Sequence, residues 1–465
     1  LGWLLHKGNS HARAENTRVI VMNKSLQIYV SSTLPSMGIN GVDAITFNSW
    51  ALSVIRHATK GKAFFKYREL PEFVEKIKFS NGILGALSQF VRQQVRDVDA
   101  AISREFLTNE NLFKLWKESH NKAIQPRLKD FKHDVSESNL PIKEKQVALD
   151  YVQNLLTDQE DYVGDLYKLL SDEKLLGSFL PADPKLGEHL SYLSRMVDKN
   201  RRKNYLDYYD MSLILRLIQL KYGGLPNKHG GISEFDHLVV DEAQDFGPVE
   251  FSIMMDSVGD KRDLTIVGDV SQKILFSRKF IGWENILDNL EIKKDTLIQL
   301  EVSFRCTVPI MNLARKVEGR KDPVSFGRPG SPVIWHRAVD QNDFLETLAG
   351  WVKGLMEKDP YKLIALICRY PKQAMELKDE LERMVSCEVR IGHRDQFSFE
   401  PGVIISNIHQ IKGLEFDAVA LINPSEEFYP SKNIESRNMI YVGITRAQED
   451  LLVIGNNSFS KVLLS

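Results

Sequence analysis

Asp241, Glu242, Asp269 and Gln272 carry the first chemical signal in this sequence. In HLVVDEAQDFGPVE (237–250) an apolar run ends in two adjacent carboxylates, Asp241 and Glu242. The carboxyl end of a buried parallel strand is where α/β proteins bind ligands. An Asp placed there can hold a divalent cation, and a neighbouring Glu can orient an attacking water. The same letters suit a solvated turn. What favours a site is the apolar strand before the pair and the continuation Ala243-Gln244-Asp245. LTIVGDVSQ (264–272) repeats the arrangement, with Gly268-Asp269 closing a second apolar run and Gln272 three residues on. Glycine lets backbone approach a ligand closely, and a glutamine amide can touch both a phosphate oxygen and a water. Taken alone, GDxxQ is a weak motif that a plain turn explains.

The whole chain bounds what such loops can belong to. At 465 residues it is too long for one ordinary core, so two or three domains are expected. Hydrophobic residues at 43% and charged residues at 26% fit a globular protein. The 61 basic and 62 acidic residues leave a formal charge of −1, so any polyanion site has to be a local basic patch. Cys306, Cys368 and Cys387 lie far apart without CxxC spacing, which argues against a disulfide framework or a zinc site and fits a reducing cytoplasm. No apolar stretch approaches the length of a membrane span. The chain opens Leu1-Gly2-Trp3-Leu4-Leu5 without Met or a signal-peptide pattern, and reads as an internal piece of something longer.

Short β-rich runs must position the acidic loops. TRVIVMN (17–23), HLVV (237–240), LTIVGD (264–269), LIALICR (363–369), VIISNI (403–408), AVALIN (418–423) and LLVIG (451–455) are apolar on both faces. That suits strands of parallel sheets covered by helices on each side. Helical periodicity fills the gaps, as in KQAMELKDELERMV (372–385), so the fold class is α/β. From about residue 52 to 205 strand signals vanish and charged amphipathic patterns such as LSQFVRQQVRDVDAAISREFL (87–107) take over. The expected organisation is a first α/β domain from 1–51 plus 206–295, a helical insertion over 52–205, and a second α/β domain over 296–465.

Motif order then points to a family. DEAQD, GDVSQ, LEVSFR (300–305), HQIKGLEF (409–416) and YVGITRA (441–447) follow the order and spacing of superfamily 1 helicases, and the chain resembles their UvrD/Rep/PcrA group. VMNKS (21–25) resembles motif Ia, and ITFNSWAL (45–52) the segment after it. The resemblance implies two RecA-like domains of the P-loop NTPase type, 1A and 2A, with a helical 1B insertion and ATP with Mg²⁺ between the two. By carry-over, Asp241 holds Mg²⁺, Glu242 is the catalytic base, Gln272 senses the γ-phosphate and Arg305 binds it. Asp269, Gly413 and Glu415 belong to the nucleotide site, with Glu415 on the ribose, and Arg446 is the arginine finger. Asn23, Phe47, His409 and Phe276 fall on the nucleic-acid side; for Phe47, core packing is the equal alternative. Arg201 and Arg202 in RMVDKNRRKNY (195–205) are candidate phosphate contacts, whereas KGKAFFKYR (60–68) reads better as a solvated face.

The sequence departs from the family in four places. It contains no GxxxxGK[ST] phosphate cradle, and the similarity of LGWLLHKG to the helix that follows such a loop places the cradle upstream of residue 1. Leu275 and Ser277 stand where the family has base-stacking aromatics, a loss of roughly 1–3 kcal/mol per base. Asn407 replaces the favoured Thr. The span between Arg305 and His409 is too short for an accessory 2B domain, a compactness shared with the HelD and helicase IV branch.

The resulting expectation is an ATP-dependent motor on single-stranded or partly duplex DNA, with 3′→5′ polarity implied by the resemblance alone. Two rivals remain at this stage: a HelD-like ATPase remodelling a protein or transcription complex, with its partner on the helical insertion, and a catalytically incomplete nucleic-acid-binding module.

Overall fold

The structure, a computed structural model, describes residues 4–5, 12–229, 231–259, 263–269, 272, 283–284, 297–298, 300, 303–320, 322–324, 326–393 and 397–464. In chain order the strands are β1 (Thr17–Val21), β2 (Asp43–Thr46), β3 (Phe65–Lys66), β4 (Leu206–Asp207), β5 (Leu225–Pro226), β6 (Ile232–Ser233), β7 (His237–Val240) and β8 (Leu264–Ile266). They continue with β9 (Ile334–Arg337), β10 (Leu363–Cys368), β11 (Val389–Ile391), β12 (Gly402–Asn407), β13 (Phe416–Ile422) and β14 (Ala447–Gly455).

Two wholly parallel sheets organise the molecule. The first runs β2-β1-β7-β8 and the second β11-β12-β10-β13-β14-β9. Each of the seven apolar runs singled out in the sequence supplies one strand of these sheets, so the α/β expectation holds. Their two-faced apolarity has a direct structural use. In β1, Ile20 points into one apolar cluster while Val19 and Val21 point into another. In β10, Ala365 and Ile367 join the second of these clusters, and Ile364, Leu366 and Cys368 enter a third. Successive side chains alternate across a strand, so a sheet covered on both faces has to be apolar at every position.

The second cluster spans both sheets. It joins Val19, Val21 and Leu26 of the first with Ile404, Ile411, Leu414 and Phe416 of the second, and so fixes the two sheets' loops against each other. Parallel strands also send the loops after β1, β2, β7 and β8 to one edge of the first sheet, where the acids sit.

Residues 72–202 are almost wholly helical, from Glu72–Lys78 and the long Asn81–Phe106 to Leu186–Arg202. One correction concerns the strand-free stretch expected from about residue 52 to 205: Phe65–Lys66 forms a short parallel ladder with Leu206–Asp207, just past its end. The helix Phe47–Ala58 runs across the expected edge at residue 51/52, and its Trp50, Ala51 and Ile55 share a cluster with Leu87 and Leu166. A smaller cluster around Phe106, Trp116 and Phe131 fills the distal part. The entry and exit of the helical region are clamped by a buried ion triad, with Lys78 Nζ 2.8 Å from Asp207 Oδ2 and 2.6 Å from Asp210 Oδ1. Among the described residues no helix is long and apolar enough to cross a membrane.

Candidate functional site

The loop after β7 is anchored on the neighbouring strand: the Asp241 backbone N–H donates to Ile20 O at 3.0 Å. Glu242 then adopts φ +54°, in the left-handed region, a conformation that costs a non-glycine residue on the order of 1 kcal/mol. This turn brings the two carboxylates together at the strand end, with the Glu242 N–H donating to Asp241 Oδ1 at 2.9 Å. Burial first, and then the adjacent Glu242 charge, push the Asp241 carboxyl up to about 6. A carboxylate so placed is stabilised in its ionised form by a cation.

Gln244 links this loop to the next one. Its Nε2 donates to Glu242 Oε2 at 2.5 Å, and its Oε1 accepts from the Asp269 N–H at 3.0 Å. Gly268 is required by that contact, since a Cβ there would lie 2.5 Å from Gln244 Oε1. Gln272 Nε2 in turn donates to Asp269 Oδ2 at 2.9 Å.

The second sheet contributes the segments that precede β13 and β14. Arg446, fully buried, donates from Nη2 to Gln272 Oε1 at 2.6 Å, from Nη1 to Leu414 O at 3.1 Å and from Nε to Val442 O at 3.1 Å. Its hydrogen-bond partners among the described residues are carbonyls, an amide and the Thr445 hydroxyl. Burial and the like charge of Arg305 lower its pKa, which Glu242 and Glu415 partly oppose. Tyr441 Oη reaches Asp269 Oδ2 at 3.5 Å. Lys412 Nζ lies 2.6 Å from Asp245 Oδ2 and 3.6 Å from Glu242 Oε2. Beside it, Gly413 has φ +81°, and a Cβ would meet Leu26 Cδ2 at 2.9 Å. Arg305 pairs with Glu415 at 2.6 Å, and Gln448 Nε2 donates to Glu415 Oε2 at 2.7 Å.

These residues fit a magnesium–nucleotide ligand on its metal and terminal-phosphate side. A buried guanidinium whose hydrogen-bond partners among the described residues are neutral, with Glu242 and Glu415 acting on it only through their charges, suits an anion as a direct partner. Magnesium takes one or two protein carboxylates and fills its remaining positions with phosphate oxygens and water. The phosphate cradle is not among the residues of this sequence.

The nucleic-acid candidates scatter more. Asn23 caps the helix Lys24–Ser36, accepting from the Leu26 N–H at 2.8 Å, and its Nδ2 faces Lys412 O at 3.4 Å. Phe47 is corrected: it is 3% exposed, and its ring centroid sits 5.9 Å from those of both Trp50 and Phe246. Core packing claims it, leaving no face for a base. His409 is exposed at the first turn after β12, next to Asn407, whose Oδ1 accepts the His409 N–H at 3.1 Å. Arg201 and Arg202 are exposed in the last turn of Leu186–Arg202. Phe276, with Leu275 and Ser277, lies outside the described residues.

A cleft of about 650 Å³ opens beside the acidic loops, lined by Met22, Asn23, Lys24, Thr46, Asn48 and Ser49. Two helices begin on it, capped by Asn23 and by Thr46, whose Oγ1 accepts the Ser49 N–H at 3.1 Å. Paired helix N-termini offer unpaired N–H groups and positive dipole ends to an anion. Sequence reasoning missed Lys24, Thr46, Asn48 and Ser49 here, and Gln244, Asp245 and Lys412 at the acidic site. The available signal was adjacency: each lies within three residues of a candidate that was named.

Comparison with known proteins identifies the family. The family model "UvrD/REP helicase N-terminal domain" matches residues 17–279, and "UvrD-like helicase C-terminal domain" matches residues 389–458. ATP-dependent DNA helicase UvrD2 of Mycobacterium tuberculosis is 28% identical over 166 residues, 33% of this chain and 24% of the relative. DNA helicase II of Haemophilus influenzae is 28% identical over 134 residues, 26% and 18% of the two chains. ATP-dependent DNA helicase Rep of Buchnera aphidicola is 30% identical over 112 residues, 23% and 16%. The matched stretches therefore span a quarter or less of these relatives' lengths. The N-terminal family model alone runs over more than half of the chain and encloses both acidic loops and the cleft, and on that ground the chain belongs to the UvrD/Rep-like superfamily 1 helicases.

Proposed function

We propose that this chain is the motor portion of an ATP-dependent DNA translocase or helicase, with the nucleotide between the two parallel sheets and single-stranded DNA over the cleft at Asn23 and Thr46. In this reading residues 1–51 plus 206–295 form one RecA-like lobe, 296–465 the other, and 52–205 a helical insertion. The observation that carries the reading is the hydrogen bond from Arg446 to Gln272, which sets a second-lobe guanidinium against the first-lobe acidic loops.

Asp241 is the residue to hold Mg²⁺, and Glu242, steered by Gln244 and Lys412, to orient the attacking water. Gln272 and Arg446 are placed to meet the terminal phosphate. Bound ATP and Mg²⁺ supply the phosphoryl group and the metal charge that neutralises its oxygens. Arg305 and Glu415, paired with each other in this structure, are the proposed contacts for the γ-phosphate and ribose. Because the cationic groups come from the lobe opposite the carboxylates, nucleotide contacts bias the two lobes toward closure, and hydrolysis removes that bias. The 3′→5′ polarity rests on family resemblance.

The test is ATP hydrolysis by the full-length protein with and without oligo(dT), beside a Glu242→Gln variant. Stimulation by DNA that disappears in the variant supports the motor. Hydrolysis indifferent to DNA, or unaffected by the substitution, rejects it.

A further inference from the structure

In FSFEPG (397–402) two phenylalanines stand two residues apart, the spacing that puts side chains of an extended chain on one side. Their rings lie together, with centroids 5.2 Å apart and planes inclined by 33°. Phe397 is buried, 6.4 Å from the Phe416 ring at the start of β13. Arg390 of β11 ties the segment to its own lobe: Nη2 donates to Pro401 O at 3.0 Å and also to Glu400 O, and Nη1 donates to Ser398 Oγ at 3.4 Å. Phe399, half-buried, is thus presented from a fixed base. It meets Tyr29 of the helix Lys24–Ser36, with ring centroids 5.3 Å apart and planes inclined by 56°. That helix belongs to the first lobe, where its Asn23 cap lines the cleft and its Leu26 lies against Gly413. Burial first, and then the Glu415 charge, push the pKa of the Tyr29 hydroxyl up, which places the contact within reach of the Arg305–Glu415 pair.

We infer that the Tyr29–Phe399 contact is an aromatic latch that holds the two lobes in the arrangement seen here. Arg446–Gln272 and Lys412–Asp245 join the lobes inside the proposed nucleotide site, through groups that serve that site. The latch joins them outside it, through two rings that are not among the residues proposed for the nucleotide. Both rings pack onto the cluster that spans the two sheets, so parting the lobes exposes them to water. A tilted aromatic pair at this separation favours its own contact by a factor of roughly two to ten in an equilibrium. An arrangement stabilised by the protein's own rings leaves the nucleotide less closure to drive, so its apparent affinity rises by the same factor. In tying the latch to ATP turnover the inference rests on the proposed nucleotide site, though its geometry does not.

Small-angle X-ray scattering from the full-length protein reads the latch directly, and steady-state ATP hydrolysis reads its consequence. Tyr29→Ala and Phe399→Ala should each enlarge the radius of gyration, and a saturating non-hydrolysable ATP analogue should restore it. Each should raise KM for ATP roughly two- to tenfold and leave kcat at saturation unchanged. The double variant should go no further than either single one, because both remove the same contact. Tyr29→Phe keeps the ring and should behave as wild type. Melting temperatures check the fold of every variant, and Tyr29→Leu replaces Tyr29→Ala where the smaller residue unfolds the protein. Unchanged scattering and KM, or single effects that multiply in the double variant, overturn the latch. A fall in kcat with KM unchanged also overturns it and moves the rings into the chemistry. Enlarged variants that neither bind nor hydrolyse ATP, in a wild type equally inert, overturn the nucleotide reading and leave the latch standing.

Discussion

Lys412 and Asp245 form a buried ion pair across the two lobes, 2.6 Å from Nζ to Oδ2, within one residue of the loop glycine and three of the proposed catalytic base. Lys412 also stands 3.6 Å from Glu242 Oε2, so a cation from the second lobe helps set the acid of the first. Removing one partner of a buried pair strands the other charge, at a cost of about 3–5 kcal/mol. Lys412→Met is therefore expected to lower stability by that amount in denaturant unfolding. Adding Asp245→Asn should restore part of it, and strict additivity of the two changes would contradict the pairing.

Phe47 offers a clean separation of packing from recognition. As a 3%-exposed core ring, Phe47→Ala should cost about 3–5 kcal/mol in stability. Where the variant is still folded, its affinity for oligo(dT) should equal that of the wild type. A stable variant with weakened DNA binding would return this ring to the nucleic-acid surface.

The cleft predicts an electrostatic signature. Lys24→Ala removes one exposed cation beside two helix N-termini, so DNA affinity should fall for all sequences alike, with the log–log salt slope reduced by about 1. Sequence-dependent losses would point to base contacts instead.

Acid stability depends in part on a clamp near the end of the chain. Glu426 accepts from the Ser431 hydroxyl at 2.6 Å, the Ser431 N–H at 2.8 Å and the Lys461 N–H at 3.0 Å. These bonds hold its carboxyl down at about 2. A carboxyl depressed by folding contributes stability that is present above its ordinary value of 4.5 and lost as pH falls through 2. Unfolding followed between those values should show a shallower pH dependence in Glu426→Gln than in the wild type. Identical slopes would remove the clamp from the account.

What the sequence revealed, and what it hid, follows from burial. Six of the seven apolar runs were legible because interior parallel strands need apolar residues at every position; the seventh, at the edge strand β8, was legible through the Gly268-Asp269 that closes it. β2, β9 and β11 lie at sheet edges and escaped notice: Ile334–Arg337, with Trp335 and His336 in it, is mostly exposed, and Asp43–Thr46 alternates. An edge strand has one neighbour and one wet side, so its residues carry no such requirement. The proposed catalytic residues were visible through the order of the motifs. The groups that orient them were not, because Gln244 and Lys412 acquire their roles only when loops from different strands meet. The ladder between Phe65 and Leu206 was equally hidden, since two-residue pairings leave no periodicity to read.

The most direct test of the two-lobe nucleotide site concerns Arg446, whose guanidinium reaches Gln272 at 2.6 Å over a sequence separation of 174 residues. Arg446→Lys keeps a positive charge but loses the fork that addresses carbonyls, amide and phosphate together. Binding of a fluorescent ATP analogue and steady-state hydrolysis with oligo(dT) should be measured side by side on the full-length protein. The account predicts nucleotide affinity within a few-fold of wild type and hydrolysis reduced by at least about a hundredfold. Hydrolysis at the wild-type rate would show that the second lobe takes no part in the chemistry, and would contradict the account.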